Sequence, residues 1–214
     1  MRCLMCGKEI GSSGNFSELL LEEDVLCHAC RRRWIHRSGH TDLNGIRVDY
    51  DWDYDSDFSK CLIQYKECGD EALKEVFLYP LRKKLKRRYR GYTLVLMPSS
   101  HEKLEARGFV HLEGIFEGLG LPMLDPFEKC ILEDQKQLNL KGRQAMAHGI
   151  RLKRDQALPK RIVLVDDVMT TGSTLRGALS VLDQSRYRIR IYTCAIVTKE
   201  KPVPEQGRKT GLFQ

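Results

Sequence analysis

The chain has 214 residues, 42% of them hydrophobic and 30% charged, which is apolar material enough for one ordinary domain with a small appendage. Thirty-six Lys and Arg against 29 Asp and Glu leave a formal net charge of +7, a balance that favours anionic partners, phosphates or nucleic acid, without choosing between them. No apolar run approaches the ~20 residues of a membrane span, and the opening Met1-Arg2-Cys3 lacks the apolar core of a signal peptide, so a cytoplasmic location is expected.

Residues 1–40 read as a first unit. Of the eight cysteines, four fall in two CxxC pairs: Cys3 and Cys6, then Cys27 and Cys30. Each such turn points two thiolates at one ion, and two turns complete a closed tetrahedral site. A structural zinc ribbon is therefore expected. Iron in place of zinc, and a thioredoxin-like redox pair, remain as alternatives. A segment this short needs such a staple, since it cannot build an adequate apolar core. It leaves through the basic cluster Arg31, Arg32 and Arg33.

A turn-rich junction, 38–45, leads to a period-two alternation of Val48, Tyr50, Trp52 and Tyr54 with Asp49, Asp51, Asp53, Asp55 and Asp57. The pattern predicts a strand with a buried aromatic face and a solvated acidic face. Cation binding by the five carboxylates is the lesser reading, because alternate strand positions share a face without converging. Residues 62–69 and 71–85 read as helical. The second stretch ends in a run with seven basic residues in nine positions, Arg82 to Arg90, more than a helix C-terminus needs. Residues 93–97 form a buried strand stopped by Pro98, and 111–119 a helix. Short extended pieces follow over 121–132, then a long polar and mobile segment over 133–156. Residues 161–165 are an apolar strand of parallel-sheet type, 173–184 a helix and 188–197 a last strand. Residues 201–214 are expected to be a flexible tail. Strands alternating with helices give an α/β class over 41–200.

The richest stretch is Asp166-Asp167-Val168-Met169-Thr170-Thr171-Gly172-Ser173-Thr174. A strand ends in two carboxylates, and a turn of small hydroxyl residues opens a helix. Such a turn offers free N–H groups and a positive dipole end to a phosphate. Its hydroxyls can donate as well, Gly172 permits close approach, and the carboxylates can accept from the two hydroxyls of a ribose. No Walker-type Gly-Lys-Ser/Thr is present.

These residues resemble the phosphoribosyl pyrophosphate (PRPP) signature of type I phosphoribosyltransferases. With Tyr65-Lys66-Glu67-Cys68-Gly69-Asp70, Met97-Pro98-Ser99-Ser100, Lys103, Arg107-Gly108-Phe109, and Gln137, Leu140 and Arg143, the chain resembles the ComF family through most of its length. Val110-His111 stands where that family often has Asn-Gln, and Lys103 where it usually has arginine. The resemblance implies a phosphoribosyltransferase-like parallel sheet flanked by helices. It implies that Asp166 and Asp167 hold the ribose hydroxyls and serve any catalysis, and that residues 168–174 cradle the 5′-phosphate. Pro98, Ser99, Ser100, Lys103, Arg107 and Arg143 would lie on the pyrophosphate side. Mg²⁺ would accompany PRPP.

The ComF resemblance further implies a role in natural competence and DNA uptake, contact with single-stranded DNA, and a competence helicase or other DNA-processing proteins as partners. Arg31, Arg32, Arg33, Lys83, Lys84, Lys86, Arg87, Arg88 and Arg90 are the candidate backbone contacts, with Trp34, Tyr89 and Tyr92 as candidate stacking rings. Two alternatives stand beside this: a phosphoribosyltransferase with a small-molecule acceptor, and a PRPP or nucleotide sensor without catalysis.

Overall fold

The computed structural model describes residues 1–10, 24–129, 149–154 and 156–197. Cys130, Gln137, Leu140, Arg143 and the expected tail lie outside the described residues.

Six strands form one sheet in the order β1-β2-β8-β7-β3-β4. These are β1 (His36–Leu43), β2 (Ile46–Asp53), β3 (Thr93–Leu96), β4 (Met123–Leu124), β7 (Arg161–Met169) and β8 (Arg188–Ile196). Only the β1–β2 pair is antiparallel. Strands β5 (Phe127–Lys129) and β6 (Ile150–Leu152) make a separate antiparallel pair. The molecule is thus α/β with a mostly parallel sheet, as expected. The wholly apolar run Ile162 to Val165 fits its place between two parallel neighbours, and all four residues are fully buried.

The junction at 38–45 is instead the β1–β2 hairpin. Its turn is Asn44-Gly45, both with positive φ, 56° and 78°, the type of two-residue loop whose twist matches the strands it joins. β1 already belongs to the main sheet from His36 onward.

The acidic alternation also differs from the expectation. β2 stops at Asp53. Asp55 becomes the N-cap of α2 (Ser56–Glu67), accepting from the backbone N–H of Asp57 at 2.9 Å and of Phe58 at 2.8 Å. The three carboxylates left on β2 are buried, Asp51 to 1% exposure. Their partners come from the basic run. After α1 (His28–Arg31) and α2, the chain forms α3 (Lys74–Leu78), a 3-10 turn at Tyr79-Pro80-Leu81, and α4 (Arg82–Arg88). Pro80 cannot continue a helix, so the expected 71–85 helix breaks there. From α4, Lys84 Nζ reaches Asp51 Oδ1 at 2.6 Å and Arg88 Nη1 reaches Asp49 Oδ2 at 3.4 Å. Tyr192 Oη donates to Asp51 and Tyr89 Oη to Asp49, both at 3.2 Å. Arg37 holds Asp53 and Arg47 holds Asp49, at 2.9 and 2.7 Å. Buried carboxylates require such partners, so the acid ladder and part of the basic run are two halves of one packing element.

The N-terminal unit is joined to this core. Trp34 packs against Trp52, Phe58 and Phe77 with ring centroids 5.1–5.8 Å apart. No helix among the described residues is long and apolar enough to cross a membrane.

Candidate functional site

The crossover from β3 to β4 runs through α5 (His101–Arg107) and α6 (His111–Glu117). The crossover from β7 to β8 runs through α7 (Ser173–Val181). Because β4 and β8 lie on opposite sides of the β3–β7 pair, the chain leaves these two adjacent strands in opposite directions. In open α/β sheets the crevice beyond the carboxyl ends of such strands is where ligands bind. Two expected loops meet there, Pro98-Ser99-Ser100 after β3 and Thr170-Thr171-Gly172 after β7. The strands are tied by the Met97 N–H donating to the Val165 carbonyl at 3.1 Å.

β7 does not end at the carboxylates as expected. Its pairing with β8 continues through Asp166 to Met169, opposite Ile196, so the turn begins at Thr170. Gly172 caps α7 with φ 73°, and a Cβ there would meet Leu43 Cδ1 at 3.0 Å. Both conformation and space therefore call for glycine. No side chain caps the helix, and Thr170, Thr171 and Ser173 are exposed. Their hydroxyls and the first N–H groups of α7 are placed to receive an anion. Arg176, which carries no local signal in the sequence, braces the turn by donating to the Thr171 carbonyl.

Successive residues of a strand point to opposite faces, so Asp166 and Asp167 diverge. Asp167 is 7% exposed, and its partners come from α2 and α6. Lys66 Nζ donates to Oδ2 at 2.6 Å, His111 Nε2 lies 3.0 Å from the same oxygen, and the Val168 N–H donates to Oδ1 at 2.6 Å. Burial alone would raise its pKa, but the His111 hydrogen bond and the Lys66 charge carry it well below the usual carboxylate range. Asp166 is half-buried and moves the other way. Burial first, and the charge of Asp167 second, push its pKa well up. The two neighbouring carboxylates are thus shifted in opposite directions, Asp167 toward the anion and Asp166 toward the acid.

Arg107 is expected beside the pyrophosphate, but its side chain is only 3% exposed. Nε donates to the Lys66 carbonyl at 2.8 Å, Nη1 lies 3.0 Å from His111 Nδ1, and Nη2 lies 3.3 Å from Glu67. Guanidinium can only donate, so His111 accepts at Nδ1 and carries its proton on Nε2, toward Asp167. Burial, with Lys66 and Arg107 nearby, lowers the His111 pKa and keeps the ring neutral. Ser99 Oγ lies 3.5 Å from Nδ1. Lys103 is exposed on α5. Lys66 and His111 are not among the expected site residues. Lys66 lies within the Tyr65–Asp70 segment that carries part of the resemblance, and His111 stands in the Val110-His111 pair where the ComF family often has Asn-Gln.

The four ribbon cysteines converge. Their sulfur atoms all lie within 4.8 Å of one another, and those of Cys6 and Cys27 are 3.7 Å apart. Four thiolates around one zinc at about 2.3 Å have tetrahedral edges of about 3.8 Å, so the donor set and spacing fit a metal. Cys3 is drawn down to about 7 against its burial by backbone hydrogen bonds at Cys27, Cys6 and Met5, while burial and the adjoining thiols push Cys30 up. A central dication would hold all four as thiolates.

The expected nucleic-acid residues divide. Arg31 is bound to Asp24 at 2.6 and 2.8 Å and lies over the rings of Trp34 and Trp52. Arg33 pairs with Asp57, and Lys84 and Arg88 belong to the acid ladder. Lys83, Lys86, Arg87 and Arg90 are exposed, as is Arg32. Trp34, Tyr89 and Tyr92 are 4%, 1% and 6% exposed. Their faces are spent on the core and cannot stack on bases.

The sequence is similar to two curated proteins, each named competence protein ComFC. That of Streptococcus pneumoniae is 29% identical, covering 86% of this chain and 94% of the relative. That of Bacillus subtilis is 22% identical, covering 84% and 88%. No protein-family model matches. The likeness to ComFC thus runs through most of the chain. Among solved structures, a hypoxanthine phosphoribosyltransferase from Staphylococcus aureus superposes with a TM-score of 0.39 and 12% identity, over 62% of this chain and 77% of that one. An adenine phosphoribosyltransferase from Trypanosoma brucei gives 0.35 and 13%, over 84% and 97%. These superpositions are loose.

Proposed function

We propose that this chain binds PRPP at the crevice between β3 and β7 and acts, like the ComFC proteins it resembles, in competence and the handling of incoming DNA. One observation carries the PRPP reading. An open, hydroxyl-lined turn with a glycine cap follows a strand bearing two carboxylates shifted in opposite directions, at the reversal of strand order. Thr170 to Thr174 would take the 5′-phosphate, and Asp166 the ribose hydroxyls. The Pro98–Ser100 turn and Lys103 would face the pyrophosphate, which brings its own Mg²⁺. The structure gives Arg107 and Asp167 protein partners, so their part in this reading is to hold the site in shape. The closed sulfur set would carry a structural zinc, with the ribbon ending before His36, short of the expected boundary at 40, and the phosphoribosyltransferase-like unit running from β1 to about 200.

Single-stranded DNA would meet Arg32, Lys86, Arg87 and Arg90 through its phosphates alone, since the aromatic residues are buried. Such binding should be strong at low salt and fall steeply as salt rises.

A thermal melt with PRPP and Mg²⁺ tests the site. Occupancy at a hundred times Kd would stabilise the fold by about 2.7 kcal/mol, so a clear rise in melting temperature is expected and no rise overturns the proposal. Pyrophosphate release in the presence of purines, pyrimidines or single-stranded DNA separates a transferase from a sensor. Failure to retain single-stranded DNA at low salt removes the nucleic-acid part.

A further inference from the structure

The cluster behind the two loops gathers two cations, Lys66 and Arg107, around the buried carboxylate of Asp167, with the more exposed Glu67 at its edge. Asp167 is shifted toward the anion and Asp166 toward the acid, and His111 is neutral. Arg107 spends Nε, Nη1 and Nη2 on Lys66, His111 and Glu67. Lys66 differs. Its side chain is 21% exposed, and of its three N–H donors one is given to Asp167 Oδ2. The others have no protein acceptor among the described residues. A partly exposed ammonium held by one carboxylate, with donors to spare, can take a further anion.

The network also shows on which side that anion lies. Asp167 faces α6, and the chain of contacts from Lys66 through Asp167 and His111 ends at Ser99, on the turn after β3. The open turn of α7 belongs to the other strand. The two ends of a bisphosphorylated sugar would therefore meet different groups.

We infer that Lys66 is a direct ligand of the pyrophosphate end of the sugar phosphate, with Asp167, His111 and Arg107 as positioning residues that fix its ammonium. This rests on the PRPP reading and deepens it. Asp167 serves as the anchor of a cation and not as a ribose ligand, and the ribose falls to Asp166. His111 supplies the one donor that keeps Asp167 aligned while Arg107 blocks the alternative tautomer.

The test is calorimetry on the full chain with two probes, PRPP with Mg²⁺ and ribose 5-phosphate, which lacks the pyrophosphate. Lys66→Met keeps the length of the side chain and removes its charge. It should weaken PRPP about tenfold or more, the scale of one absent charge-assisted hydrogen bond, while ribose 5-phosphate changes less than about twofold. His111→Gln retains a donor and should bind PRPP nearly as wild type, whereas His111→Leu should show the Lys66→Met pattern in milder form. Equal weakening of both probes makes Lys66 merely structural and overturns the inference, as does unchanged PRPP binding. If Lys66→Met does not fold, the contrast between His111→Gln and His111→Leu decides, and no difference between their PRPP to ribose 5-phosphate ratios overturns it. A wild-type protein that binds neither probe is a different result, since it brings down the PRPP reading itself.

Discussion

Two groups of carboxylates sit on the same sheet, and they are treated in opposite ways. On β2, Asp49, Asp51 and Asp53 each have cationic or hydroxyl partners from β1, α4 or neighbouring strands. On β7, Asp167 has two such partners, while Asp166 is pushed toward its neutral form. The first group is paired within the fold, with only Asp53 Oδ1 left without a hydrogen bond among the described residues. In the second, Asp167 is paired while burial and the charge of Asp167 push Asp166 upward, the kind of perturbed group on which a ligand site is proposed. Adjacent acids in a sequence can therefore mean either thing, and the partners decide.

The contrast can be broken most strongly at Asp51. Asp51→Ala strands the Tyr192 hydroxyl and frees Lys84, and should cost about 2–4 kcal/mol in urea unfolding with PRPP affinity unchanged. The pH dependence follows the same logic. Burial would raise the Asp51 pKa, but Lys84 and Ser38 bring it below the ordinary value. The folded value of Asp51, like that of Asp167, thus lies below the unfolded value of about 3.9. Their stabilisation is complete above that pH and drains away as pH falls through the folded values. Wild type should lose urea resistance below about pH 4, and Asp51→Asn should flatten part of that limb.

A smaller effect of opposite sign is expected at Asp166. A raised folded pKa favours the fold at low pH and penalises it once the unfolded carboxylate ionises. Asp166→Asn should therefore raise the urea midpoint at pH 7 while weakening PRPP. Stability gained as binding is weakened would set β7 apart from β2.

The smallest change is expected for Lys86, Arg87 and Arg90, the part of the basic run that the acid ladder leaves exposed. Replacing all three by Gln should leave stability within about 0.5 kcal/mol per site. The salt slope of single-stranded DNA binding should become shallower by up to about 0.7 for each phosphate no longer neutralised.

The sequence is informative where chemistry is local. Spacing alone draws the four cysteines together, and the strand–turn–helix around Gly172 is readable from its apolar run and small hydroxyl residues. The Asn44-Gly45 turn is equally local, but the polarity of 38–45 suggests a loose junction and hides the φ those two residues permit. The remaining differences concern distance along the chain. Asp51 and Lys84 are 33 residues apart, Lys66 and Asp167 are 101 apart, and no periodicity in either segment shows what the other supplies. The alternation over 48–57 also conceals a change of element, since Asp55 serves a helix cap as readily as a strand.

The central claim is that the β7 turn and Asp166 form a sugar-phosphate site. Its most direct test is titration of PRPP with Mg²⁺ into wild type and Asp166→Asn at pH 7, followed by calorimetry. Saturable heat for the wild type, with weaker binding by a variant that is folded and at least as stable, is the expected result. A silent wild type, or a variant that binds as tightly as wild type, would contradict it.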